Sequence, residues 1–197
     1  LTPAEQQNTR LDAQRHLDWG ITQDIGSRLD SQGALTLSAG RDLSARAASV
    51  QTQGTLHAVA AGNLALTAGQ GSTNVDDAYY YSSHGLLGSS SDSIKDSVRT
   101  TRAIGSDIGG QTIRIDAGQN LQVQGSSVIA DKGTELNAGA DMTITAAQNT
   151  TQESHSRESH DSGFLASGTS VSIGQQSLSS TQTGTATTAS GSTIGTI

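Results

Sequence analysis

The side chains able to do acid, base or metal chemistry are few, and their spacing is the first thing to weigh. Histidines stand at His16, His57, His84, His155 and His160. No two are three or four residues apart, the spacing that sets two metal ligands on one helix face. Carboxylates gather at Asp76-Asp77 and at Asp92 and Asp96. A pair of acids can cleave a glycosidic bond when held about 5 to 10 Å apart in a groove, but neighbouring carboxylates in a serine-rich stretch are usually just solvated. Gly69-Gln70-Gly71 follows an extended run, opens no helix and has no lysine after it, so a phosphate loop is not supported. Gly109-Gly110 is the single Gly-Gly pair, and the calcium-binding nonapeptide of other secreted repeats is missing. No catalytic group, metal, cofactor or small-molecule substrate is therefore expected.

Charge and composition narrow the remaining classes. Eighteen acids against eleven Lys and Arg give a net charge of -7, and only Lys95 and Lys132 are lysines. Nucleic-acid binding needs clustered basic groups, so it is set aside. There is no cysteine, which leaves the redox compartment open. No apolar run approaches the roughly 20 residues of a membrane-spanning helix, and no basic-then-apolar leader opens the sequence. Leu, Ile, Val and Phe make up 36 of 197 residues, below the roughly 20 % at which disorder becomes a serious reading. The modest net charge argues the other way, so pattern must decide.

The pattern is a nested repeat. Residues 33–53 read GALTLSAGRDLSARAASVQTQ and 54 onwards GTLHAVAAGNLALTAG, while 110–132 read GQTIRIDAGQNLQVQGSSVIADK and 133 onwards GTELNAGADMTITAAQN. The fixed element is Ala-Gly, then Asp or Asn, then an apolar residue. It places corners at Gly40 and Asp42, Gly62 and Asn63, Gly118 and Asn120, and Gly139 and Asp141. The glycines recur at about 21 residues within each pair and at about 78 between pairs. Ile25-Gly26-Ser27 recurs as Ile104-Gly105-Ser106, and Ile194-Gly195-Thr196 is read as the start of a third copy.

Around each corner apolar residues alternate with polar ones: Leu35, Leu37 and Ala39, then Leu43, Ala45 and Ala47; Leu64, Leu66 and Ala68; Ile113, Ile115 and Ala117; Leu121 and Val123; Met142, Ile144 and Ala146. Period two means short strands with one apolar face. Glycine free to adopt a left-handed backbone, with Asx bonding to nearby backbone, makes each phrase a turn. A rung of about 21 residues cannot bury its apolar face alone, but stacked rungs about 4.8 Å apart can. The expected fold is all-β, a right-handed parallel β-helix (solenoid) of roughly 21-residue rungs with inserted flaps or hairpins.

The expected organisation is one continuous solenoid domain. Residues 1–24 form a lead-in, 25–103 a first long repeat (rungs 33–75, flap 76–102), 104–193 a second (rungs 110–147, flap 148–168), and 194–197 begin a third. In the lead-in, Thr2-Pro3-Ala4-Glu5 has the form of a helix start, but with Leu11 and Leu17 as only a thin apolar stripe, extended structure leading into the first coil is the favoured reading over a short helix. The flaps share Gly85-Leu86-Leu87-Gly88-Ser89 and Gly163-Phe164-Leu165-Ala166-Ser167. Tyr79, Tyr80, Tyr81, Leu86, Leu87, Phe164 and Leu165 are expected to pin the flaps onto the coil. The alternative is an exposed contact surface.

These phrases together resemble the haemagglutinin repeats of two-partner-secretion exoproteins, filamentous haemagglutinins and contact-dependent growth inhibition proteins, in the second repeat region (FHA-2). The resemblance covers roughly residues 20–197. It implies a secreted or cell-surface protein of a Gram-negative bacterium, exported by an outer-membrane two-partner transporter. It also implies a structural segment joined to flanking repeats of the same polypeptide, helping to pass a C-terminal toxin into a neighbouring cell. A target-cell outer membrane or surface receptor is then a possible partner. Two other readings stand beside it: an adhesin shaft or adhesive module binding glycan or protein, and, remotely, a polysaccharide-cleaving β-helix enzyme.

Overall fold

Short apolar-alternating runs and long polar-alternating runs form two kinds of sheet in this chain. The computed structural model describes residues 4–10, 15–167 and 170–197. The described residues are all-β, without a helix. Strands β1 (Ala4–Arg10) and β2 (Arg15–Gln23) form a hairpin. One pass of the chain follows, β3 (Arg28–Ser31), β4 (Leu35–Ala39) and β5 (Leu43–Arg46), then another, β6 (Ser49–Thr52), β7 (Thr55–Ala60) and β8 (Leu64–Thr67). A second hairpin, β9 (Gly69–Gly85) and β10 (Gly88–Ile104), leads to a third pass, β11 (Asp107–Ala117) and β12 (Leu121–Gln124). The fourth pass is β13 (Ser127–Ala138) and β14 (Met142–Thr145), then comes a third hairpin, β15 (Ala147–Ser167) and β16 (Ser170–Ser190), and finally β17 (Thr193–Thr196).

The passes stack in parallel. In one sheet the order is β14-β12-β8-β5, and in the other β17-β13-β11-β6-β3, with β4 on β7 and β7 on β11. The register aligns the apolar residues in inward rows: Leu43–Leu64–Leu121–Met142, Ala45–Leu66–Val123–Ile144, Leu37–Ala58–Ile115–Leu136 and Leu29–Val50–Ile108–Val128–Ile194. Burial follows position in the stack. Leu64 and Leu121 are fully buried between neighbours, whereas Met142, in the same row on the outer pass, is 43 % exposed. Each pass is covered by the next, which is how so few large apolar residues suffice.

The expected flaps or hairpins are present as antiparallel strand pairs, so the sheets of the described residues are mixed, parallel and antiparallel. The hairpins join into one six-stranded antiparallel sheet, β1-β2-β9-β10-β15-β16. The excursions are also wider than the 76–102 and 148–168 expected, spanning 69–104 and 147–190. The physical reason is that these strands are polar over most of both faces. With only short apolar patches, such as Trp19, Val75 and Val98 in register, they give no sustained period-two signal, yet cross-strand hydrogen bonds and ion pairs still zip them together. Apart from Gly69 and Ala147, where hairpins leave the stack, none of their described residues is buried. At the chain start, Ala4–Arg10 is a strand, so the helix reading fails there, while Thr2, Pro3 and Leu11 lie outside the described residues.

One hairpin thus occurs for every two passes. Two stacked passes rise about 9.6 Å, and a hairpin adds two strands, also about 9.6 Å of sheet. The parallel stack and the antiparallel sheet grow at the same rate, and this match gives the 78-residue period its physical meaning. The choice between another pass and a hairpin is made at one position. Ala47 (φ 49°) and Gly125 (φ 53°) turn the chain in the left-handed region into the next pass. Ala68 and Ala146, at the equivalent places, lead into β9 and β15.

Candidate interaction surface

The corner residues form a ladder. Asn63 Nδ2 and its backbone N–H both donate to Asp42 Oδ1 (3.0 and 2.7 Å). Asn120 Nδ2 donates to Asn63 Oδ1 (2.9 Å), and the Asp141 N–H donates to Asn120 Oδ1 (3.2 Å). Asp42, Asn63, Asn120 and Asp141 therefore occupy one slot, while the glycines do not: Ala61 stands in register with Gly40, Gly118 and Gly139, and Gly62 stands one place further on. None of the four corner glycines has a positive φ, which corrects the expected left-handed turn. Gly118 and Gly139 are needed for close approach instead, since a Cβ there would lie 2.1 and 2.2 Å from the carbonyl oxygens of Ala61 and Gly118.

A second ladder closes the hairpin bases. Ser106 Oγ donates to the Thr67 carbonyl just before β9 leaves (2.9 Å) and accepts from the Ala48 N–H (3.1 Å). Ser192 Oγ does the same for the next hairpin, donating to the Thr145 carbonyl (2.7 Å) and accepting from the Ser126 N–H (3.3 Å). The second and third hairpins are each stapled by the serine that follows them. The third Gly-Ser is consequently Gly191-Ser192; Ile194-Gly195-Thr196 aligns instead with Val128-Ile129-Ala130 and is no copy of the lead-in. Ser106 and Ser126 are buried. Ser106→Ala should leave the Ala48 N–H unpaired inside the stack and cost about 1 to 3 kcal/mol. A urea midpoint that does not move, at unchanged slope, would contradict this role.

Charged groups pair across the passes. Asp116 accepts from Arg114 Nε (2.7 Å) and Asn137 Nδ2 (2.8 Å), with His57 Nε2 at 2.7 Å. The Arg114 guanidinium first, then the Asn137 amide and His57, hold the Asp116 carboxyl well below its usual range against the opposing effect of burial. The Gln70 backbone N–H and Arg46 lower Asp24 in the same direction. A carboxyl depressed in the folded state stabilises the fold above its unfolded pKa of about 3.9 and loses that contribution as pH falls through the folded value. The stability gap between the parent chain and Asp116→Asn, read from urea midpoints, should thus be full at pH 6 and shrink below about pH 4. A gap constant from pH 6 to pH 2 would contradict the linkage.

The candidate acids do not converge on a groove. Asp76 and Asp77, adjacent on a strand, point to opposite faces. Asp92 and Asp96 share a face but stand about 13 Å apart along it. Asp77 and Asp96 are direct cross-strand neighbours, yet Arg15 pairs with Asp77 (3.0 Å) and His155 with Asp96 (2.9 Å) on an open face. Arg157 pairs with Asp92 (3.2 Å). These are cross-strand side-chain pairs of the sheet. Among the described residues no group of three His, Cys, Asp or Glu is placed to hold a metal.

Tyr79, Tyr80 and Tyr81 lie mid-strand in β9, 39, 50 and 45 % exposed, and Leu86 and Leu87 form the fully open tip of its hairpin. None of these five is in the buried apolar cluster of the described residues. Phe164 and Leu165 are in β15, and their side chains lie outside the described residues. The two ladders went unassigned in the sequence. Their only signals were the recurring Asx and Gly-Ser dipeptides.

No solved structure matches the chain. It is 31 % identical, over 99 % of its length, to "Deoxyribonuclease CdiA" of Dickeya dadantii. It is 32 % identical over 69 % to "tRNA nuclease CdiA" of Escherichia coli, and 30 % identical over 71 % to "Toxin CdiA" of Yersinia pestis. It spans only 6, 4 and 4 % of those proteins. The family model described as "Hemagglutinin repeat" matches residues 8–81 and 87–197. With its duplicated passes and hairpins, the chain belongs to the hemagglutinin repeat family.

Proposed function

We propose that this chain is a structural repeat segment of a secreted CdiA-type exoprotein of a Gram-negative bacterium, forming part of its filament and assisting delivery of a C-terminal toxin in contact-dependent growth inhibition. The observation that carries this is the allocation of side chains. The apolar residues serve stacking, the ladders and ion pairs serve cross-pass or cross-strand pairing, and no reactive groups converge among the described residues. The nuclease names of relatives then belong to a part of those proteins beyond the repeats. In this reading the parallel sheets are faces of a right-handed β-helix, built as one continuous solenoid. An outer-membrane transporter exports it, and flanking repeats continue it. The test is a full-length exoprotein with 69–104 and 147–190 shortened to tight turns. Export with lost killing of neighbours is expected. Unchanged export and unchanged killing would contradict a role of the hairpins in delivery.

The exposure of Tyr79, Tyr80, Tyr81, Leu86 and Leu87 favours a second reading, an adhesive surface for a target-cell receptor or glycan. The isolated chain would then bind target cells, and Tyr79→Ser, Tyr80→Ser and Tyr81→Ser together would abolish binding.

A further inference from the structure

The outer edge of the hairpin sheet differs from every strand inside it. β16, paired among the described residues with β15 alone, is 21 residues long and contains no Asp, Glu, Lys, Arg, His or Pro. Proteins normally blunt exposed strand edges with charge, proline, bulges or brevity, because unpaired N–H and C=O groups recruit another strand. The opposite edge, β1, is seven residues long and carries Glu5 and Arg10. The interior strands are charged: Asp92, Lys95, Asp96, Arg99 and Arg102 on β10, and Glu153, Arg157, Glu158 and Asp161 on β15. An unguarded edge of this length marks a docking site.

What docks there follows from the joints already present. β2 accepts β9 over nine positions, and β10 accepts β15 over fourteen, always the last strand of one hairpin receiving the first strand of the next. β16 stands in the place of β2 and β10. Two further passes would carry a following hairpin about 9.6 Å along the stack, abreast of this edge. We infer that the β16 edge is an interaction surface for the first strand of the following repeat's hairpin in the same polypeptide, added antiparallel by main-chain hydrogen bonds. The inference rests on the structural-repeat reading above, and adds that repeats are joined at two places, the stack and the hairpin sheet. Side chains on β16 are mainly Ser, Thr and Gln, which suit a main-chain joint tolerant of the sequence that arrives.

The test appends residues 112–190 after Ile197. Thr193 is in register with Ser127, as is Asp107, so the appended chain continues the fifth pass, adds a sixth and supplies one more hairpin. Amide hydrogen exchange is followed in the parent and extended chains. In the extended chain the outward amides of β16 should exchange at least about tenfold more slowly, as should those of β14, which gains a stacked neighbour. Proline then separates the two edges, because successive N–H groups on a strand point in opposite directions. Of the sets Ser180→Pro, Gln182→Pro, Gly184→Pro and Thr181→Pro, Thr183→Pro, Thr185→Pro, one should disrupt β15–β16 pairing. The other should leave that pairing intact and abolish protection from the added hairpin. Slowing at β14 without slowing at β16 would overturn the edge joint and leave the repeat stack standing. Slowing at neither would overturn the stacked-repeat reading as well. Concentration-dependent slowing of β16 in the parent chain would assign the edge to a second copy and overturn the proposed occupant.

Discussion

Ile115→Asp is expected to cost about 3 to 5 kcal/mol, the cost of placing an unpaired carboxylate in an apolar interior. Ile115 lies in the inward row Leu37–Ala58–Ile115–Leu136, with a pass stacked on either side, and is buried. Among the described residues no ladder or ion pair reaches that row to compensate the charge. Gln122→Asp, on an exposed position between the inward Leu121 and Val123, should shift stability by no more than about 0.5 kcal/mol. Far-UV spectra and melting curves of both variants check the pair. An Ile115→Asp curve superimposable on the parent would remove the inward assignment of β11, and with it the stacking of the middle passes.

The second large effect concerns whole passes. Deleting 107–126 joins Ser106 to Ser127, in register, and removes one pass; deleting 49–126 joins Ala48 to Ser127 and removes two passes together with one hairpin. The larger deletion should do less harm. It leaves two passes between the remaining hairpins, so β15 arrives directly beside β2, in the place that β9 holds in the parent chain. The smaller deletion leaves a single pass, about 4.8 Å of rise, between hairpins that each need about 9.6 Å of sheet. Either the stack or the sheet must then break, and the fourteen paired positions of β10 and β15 are the exposed ones. A single cooperative melt is expected for the 49–126 deletion and a broadened or two-step melt for the 107–126 deletion. Equal cooperativity in both would show that the hairpins do not keep step with the passes.

How much of this was legible depended on where apolar residues lie. The inward rows could be read from alternation because Leu, Ile and Val mark one face of each short strand, and Leu43, Leu64, Leu121 and Met142 share a row as their spacing implies. The hairpins could not be read that way. Thr181, Gln182, Thr183 and Gly184 look equally polar on both faces, and what holds such strands is pairing with partners 25 to 65 residues away, as in Ser156 with Thr181 or Arg157 with Asp92. Glycine is the conspicuous residue of each corner phrase, whereas the constant slot is the Asx side chain, and glycine shifts by one place at Gly62. The Gly-Ser lead-in was visible as a repeated phrase. Its role was hidden because the carbonyl that Ser106 binds, that of Thr67, lies 39 residues earlier, across the whole hairpin.

The absence of native cysteine allows the joint between hairpins to be trapped directly. Arg99 on β10 and Gln152 on β15 are direct partners, whereas Arg99 and Glu158 lie six residues out of register, about 20 Å along the strand. Under mild oxidation, the pair Arg99→Cys with Gln152→Cys should form an intramolecular disulfide. Arg99→Cys with Glu158→Cys should not. Equal cross-linking of both pairs, or of neither, would contradict a single antiparallel sheet that joins successive repeats beside their stacked passes.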